Sequence, residues 1–248
     1  MTESRPEDAD RVPLEPPSAA DSVSAALGSA ARRAGLDPAT HSSTGAAVWA
    51  AMGGVRGILE SVLPSLAFVV LFTVTTDPES RQGNLPLSLG VSVGLALVFT
   101  IVRLLTKSPP SAAIGGLVAT VAAALLALFT GRGQDNFVFG FFTNGAYGTA
   151  FLVSVLVGWP LIGLAAGYLL GEGTSWRADK RKRRVYSLLS LGWAALFAAR
   201  LVVQLPLYFA GDVTALGTLK IIMGLPLFAP MVAVTWLAVR ALSPRRES

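Results

Sequence analysis

The stretch FVFGFFTNGAYGTAFLVSVLVGWPLIGLAAGYLL, Phe137–Leu170, holds thirty-four residues with no Asp, Glu, Lys or Arg. As a single helix rising about 1.5 Å per residue it would reach roughly 50 Å, against about 30 Å for the hydrocarbon core of a bilayer. It is long enough to cross a membrane and turn back. Trp159-Pro160 supplies the break, because proline lacks an amide donor and its ring clashes with the preceding turn. A fourth span over residues 137–158 is therefore predicted. Trp159 to Leu170 follows as a helix too short to cross, which either lies along the membrane or re-enters it from the cytoplasmic side. The chain then meets Arg177, Lys180, Arg181, Lys182, Arg183 and Arg184, six cations in eight residues. Such a cluster marks a cytoplasmic loop, here residues 171–185.

A composition of 52% hydrophobic and 14% charged residues excludes an ordinary soluble domain, which carries about 25% charged residues. The fold class it predicts is all-α, a polytopic helical membrane bundle. The net charge of +5 conceals an asymmetry. Residues 1–43 hold four basic and seven acidic residues, leaving sixteen basic and eight acidic for the rest. That later excess lies in short loops, where it sets topology; nucleic acid is not an expected partner. With no cysteine and one histidine, His41 in the polar tail, the chain excludes thiol nucleophiles, cysteine or histidine metal clusters and Ser-His-Asp catalysis. Neither metal nor cofactor is expected, and the reading is non-enzymatic.

In chain order, residues 1–43 read as a disordered cytoplasmic tail rich in Pro, Ser, Ala and acid, without the apolar core of a signal peptide. Within it, Asp21 to Leu36 is either a short capped helix or Ala-rich disorder. A membrane domain over 44–242 follows, with spans predicted at about 58–76, 85–105, 111–130, 137–158, 186–210 and 218–241, and a basic tail at 243–248. Only sixteen residues separate Glu60 from Asp77, so the first helix is expected to begin early and carry Glu60 into the membrane. Ser108-Pro109-Pro110 predicts a tight turn between the second and third spans. Six crossings put Arg32, Arg33, Arg56, Arg103, Lys107, the six-cation loop, Arg240, Arg245 and Arg246 on one side, leaving Arg81, Arg132 and Lys220 on the other. This predicts cytoplasmic N- and C-termini in a cytoplasmic (inner) membrane.

Several segments resemble a known family. Trp159-Pro160-Leu161-Ile162, Leu191-Gly192-Trp193-Ala194-Ala195-Leu196-Phe197, Gln204, Tyr208, Lys220 and Gly224 resemble the bacterial inner-membrane intracellular septation protein A family. Leu63-Pro64 with Phe68 and Phe72 resembles that family's opening motif, and Asp135 with Phe137 its turn before the fourth span. The resemblance covers roughly Glu60 to Leu242. It departs at Arg200, where the family has a small neutral residue, and in the loss of a lysine-bearing motif after Asp135. With the long tail and the glycine-rich opening at Gly53 to Ser61, the chain looks still more like an uncharacterised actinobacterial membrane family known only as a domain of unknown function. The resemblance implies a multipass cell-envelope protein that meets division or elongation machinery.

Arg200 is the sharpest single residue. A charge near the bilayer centre costs about 3 kcal/mol on insertion scales and persists only with compensation. Gln204 lies one turn on, on the same helical face. An Arg200–Glu60 contact is expected, either direct or through Gln204, with Arg56 as the competing partner of Glu60. Its role is either to pin the first helix to the fifth or to form part of a substrate or proton pathway. Asp135 and Lys220 either pair near the outer surface or stay solvated. The glycine pairs Gly53/Gly57, Gly90/Gly94 and Gly163/Gly167 either pack helices within the chain or join copies into a homo-oligomer. The basic run Lys180 to Arg184, with Arg177, sets topology or meets anionic lipid. The leading expectation is an envelope or septation-related organiser acting through membrane lipids and division or envelope proteins. The alternative is a small transporter or channel-like protein built around Glu60, Arg200 and Gln204.

Overall fold

The computed structural model describes residues 54–77, 79, 82–106 and 111–242. The acidic tail, the helix expected at Asp21 to Leu36, Gly53, Arg81, Lys107, the Ser-Pro-Pro turn and residues 243–248 lie outside them, as does the side chain of Arg56. The described residues form helices α1 (Gly54–Val74), α2 (Leu85–Leu105), α3 (Ser111–Thr130), α4 (Val138–Leu156), α5 (Leu161–Leu169), α6 (Lys180–Ala210), α7 (Val213–Ile222) and α8 (Leu225–Leu242), with 3₁₀ turns at Gly133–Phe137 and Ser175–Ala178. No strand occurs among the described residues.

Among the described residues four stretches are long and apolar enough to cross a membrane: Leu85–Leu105, Gly133–Leu156, Lys180–Ala210 and Val213–Leu242. Val62–Val74 and Ile114–Thr130 are shorter apolar helices. Large apolar side chains point outward along them, among them Phe129, Phe142, Val202 and Phe209, each more than two-thirds exposed. In water such a surface would drive association, whereas hydrocarbon accommodates it. The chain is therefore a helical membrane protein.

Two features differ from the sequence expectation. The cations Lys180 to Arg184 do not lie in a loop, because Asp179 caps α6 ahead of them, its Oδ1 accepting from the amides of Arg181 (2.7 Å) and Lys182 (3.2 Å). The last segment is not one continuous helix from residue 218. It starts at Val213, where Asp212 caps α7, and breaks at Met223–Gly224 before α8. Pro226 explains the break: it has no amide to bond the Ile222 carbonyl and its ring crowds that carbonyl.

Among the described residues the core lies in three patches. Phe68, Phe72, Leu89, Ala127, Phe137 and Leu216 bind α1, α2, α3 and α7 into one cluster. Gly217 gives Val69 of α1 the space that a Cβ would take. Trp193 and Phe197 of α6 stack with Phe151 of α4, and the Trp193 ring meets Phe228 of α8 edge-on at 4.9 Å. Trp176 and Tyr186 close the third patch beneath α5.

The break before α5 is satisfied internally. Gly158 turns with a positive φ of 78° and Pro160 precedes the first turn. The first amides of a helix have no partner within it, so other groups must accept from them. Ser154 Oγ accepts from Leu161 N (3.1 Å) and Ser190 Oγ, fully buried on α6, accepts from Ile162 N (3.2 Å). Gly163 and Gly167 then open a notch filled by the Trp176 indole; a Cβ on Gly163 would come within 2.9 Å of that ring. This glycine pair serves a side chain of the same chain. The Gly90/Gly94 pair faces open space, with no neighbouring atom within 4 Å of where a Cβ would stand.

Candidate functional site

The inward face of α6 carries polar residues one turn apart: Arg200, Gln204 and Tyr208. Arg200 reaches the break between α7 and α8. Its Nε donates to the Met223 carbonyl at 2.7 Å, Nη2 donates to the Met223 and Gly224 carbonyls, the latter at 3.2 Å, and Nη1 lies 3.5 Å from Asn144 Oδ1 on α4. Met223 ends α7, so the guanidinium sits at the negative end of a short helix. The Gly224 carbonyl also accepts from Phe228 N at 3.0 Å, as the first bond of α8. Arg200 thus joins α4, α6 and both halves of the broken segment through neutral oxygens.

Glu60 lies elsewhere. Its Oε2 is 3.1 Å from Arg103 Nη2, an ion pair between α1 and α2 that is largely shielded on both sides. The expected Arg200–Glu60 contact is not formed: the helix break claims the arginine, and the end of α2 supplies the acid with its cation. Gln204 is buried but does not bridge the two.

Below Gln204, the Tyr208 hydroxyl donates to Asp135 Oδ1 at 2.6 Å, linking α6 to the turn before α4. Asp135 is buried, and Arg132 Nε stands 3.9 Å from its other oxygen. The Arg132 guanidinium also lies over the Tyr208 ring at 5.7 Å, and the Gln134 side-chain oxygen, oriented by its hydrogen bonds, accepts from Arg132 Nε and Nη2 at 3.1 and 3.2 Å. Lys220 does not pair with Asp135. Its Nζ instead lies 5.3 Å from the Phe137 ring centroid, while Tyr208 and Arg132 occupy the carboxylate.

At the other end of α6 the cations divide. Arg177 lies 3.6 Å over the Trp159 ring, and Lys182 Nζ is 2.7 Å from Glu172 Oε2. Lys180, Arg181, Arg183 and Arg184 are exposed.

Among the described residues no group of three or more His, Cys, Asp or Glu side chains is placed to hold a metal ion. What the arrangement does chemically is join helices, by charge-assisted bonds across α1–α2, α6–α7/α8 and α6–α4. Sequence reasoning singled out Arg200 but missed its partners, and it missed Arg103, Ser154, Ser190 and Trp176. Two signals were available: a serine on the buried face of an apolar helix, and a Gly-Leu-Pro sequence one turn after Lys220.

The fold and the polar links define a helical membrane protein with span-like segments. The chain belongs to the family described as Protein of unknown function (DUF3159), whose model matches residues 52–246. No curated protein and no solved structure matches it.

Proposed function

We propose that this is a six-span protein of the cytoplasmic membrane with both termini in the cytoplasm, a non-enzymatic organiser of the cell envelope that acts through lipid and protein contacts. The two shorter apolar helices serve as further crossings in this reading, and the basic start of α6 marks the inner face. The resemblance to the septation protein A family supports division or envelope proteins as the partners. The observation that carries the reading is the internal use of polar groups. Arg200 is bonded to the α7/α8 break, Glu60 to Arg103 and Asp135 to Tyr208, each tying one helix to another. Groups committed to such bonds fix a scaffold.

A small transporter is the second reading, favoured by one feature: a segment broken at Met223–Gly224 beside an arginine and a buried glutamine. Discontinuous helices of this kind form midplane sites in transporters.

The test is a proteoliposome flux and binding screen on native protein, Arg200→Leu and Glu60→Gln, run beside crosslinking to division and envelope proteins. Flux abolished by both substitutions would replace the organiser with the transporter. Specific crosslinks without flux are the expected result. Because the sequence has no cysteine, single cysteines at Arg184 and Gln134 allow a labelling test of sidedness without background. Opposite sides are expected.

A further inference from the structure

The outer face of α6 is amphipathic along its length, and lengthwise rather than around its circumference. Arg181, Arg184, Leu188, Leu191 and Ala195 recur at spacings of three and four, which places them on one helical face, and all five are exposed. The opposite face of the helix is the packed one, with Tyr186, Leu189 and Trp193 buried. Arg184 and Leu188 are one turn apart, about 6 Å along the axis. Leu188 is 59% exposed, one turn beyond Arg184 on the same face. Arg177 and Lys182 are held by Trp159 and Glu172, whereas Arg181 and Arg184 form no ion pair among the described residues.

We propose that this face seats one anionic phospholipid, its phosphate against Arg181 and Arg184 and one acyl chain along Leu188, Leu191 and Ala195. The proposal rests on the lipid contacts of the preceding reading and makes them specific. Charge complementarity fixes the occupant. A second protein copy would need acid opposite the two arginines, while a phospholipid presents negative charge and hydrocarbon at this separation. The small side chain of Ala195 leaves a shallow track for the chain. Arg183 separates this seat from diffuse attraction, because it is exposed and adjacent in sequence but turned about 100° from Arg184.

The decisive comparison, Arg184→Gln against Arg183→Gln, is between variants of equal net charge. Full-length protein is placed in phosphatidylcholine nanodiscs, titrated with tail-labelled phosphatidylglycerol, and its occupancy read by energy transfer and native mass spectrometry. Preference for phosphatidylglycerol is expected, weakened about fivefold by Arg184→Gln and more than tenfold by Arg181→Gln with Arg184→Gln, but less than twofold by Arg183→Gln. Equal losses from Arg183→Gln and Arg184→Gln would overturn the seat and leave diffuse electrostatics. Full displacement by millimolar inorganic phosphate would overturn the lipid component. A dimer that buries Leu188 in phosphatidylcholine alone would assign the face to a second copy. Crosslinking to envelope proteins does not read lipid occupancy, so failure of the organiser reading shows separately.

Discussion

Replacing Arg200 with methionine tests the link at the broken helix. The substitution keeps the length of the side chain and removes its donors. Gly224 O keeps its bond from Phe228 N, so the carbonyl that loses its donors is that of Met223, the end of α7. A buried acceptor left without a partner costs about 1–3 kcal/mol. Hydrogen bonds measured within membranes average about 0.6 kcal/mol and reach about 1.7, which favours the lower half of that range. The insertion cost of the charge offsets little of this, since the arginine resides in the membrane in the folded and unfolded states alike. Loss of about 1–2 kcal/mol is expected for Arg200→Met. Asn144→Leu removes only a contact at 3.5 Å and should cost less than about 0.5 kcal/mol. Unfolding of purified protein in mixed micelles measures both, and hydrogen exchange should rise at the amides of Leu225, Leu227 and Phe228. Unchanged stability with unchanged exchange at those amides would refute the argument. So would a coupling above about 1 kcal/mol between Arg200→Met and Glu60→Gln, because the structure gives these residues no shared bond.

Glu60 should couple to Arg103 instead: in a double-mutant cycle of Glu60→Gln and Arg103→Gln the combined loss is expected to fall short of the sum by about 0.5–3 kcal/mol, read from micelle unfolding. Tyr208→Phe leaves the buried Asp135 without its hydroxyl donor and should cost about 1.5–3 kcal/mol, with Asp135→Asn milder than Asp135→Ala because an amide oxygen still accepts. Gly163→Val drives two methyl groups into the Trp176 ring and should lower stability by about 1–3 kcal/mol in a thermal melt, whereas Gly90→Val, facing open space, should pass unnoticed. Ser190→Ala removes a cap from α5 and is expected to cost about 0.5–2 kcal/mol, with faster exchange at Ile162 as the local readout.

Particular residues show what the sequence disclosed and what it withheld. Uncharged apolar runs disclosed the helices, because hydrocarbon length imposes itself residue by residue: α2 falls at Leu85–Leu105, as hydropathy predicts. Trp159-Pro160 disclosed the break before α5, since proline acts on its own chain neighbours. Pro226 carried the same message before α8. It was missed because an apolar flank on both sides hides an interruption from a hydropathy average. Pairings were least legible. Arg200 called for an acid, and helix periodicity could not say that the Met223 and Gly224 carbonyls at the helix break would meet it first. Arg103, read only as one of the charges that set topology, is the partner of Glu60 because α1 and α2 pack side by side. Such choices depend on which helices adjoin, and a single sequence does not encode that locally.

The cap on α5 has a consequence for how the chain is made. Ile162 draws its acceptor from Ser190, twenty-eight residues downstream. At synthesis rates of about 5–20 residues per second, roughly 1.5–6 seconds separate the two from the ribosome. Through that interval the first turn of α5 lacks the acceptor that Ser190 later supplies. Trp176 arrives midway and Ser190 last. The first turn of α5 is therefore complete only once a residue of the next long helix has been made, although α5 comes first in the chain.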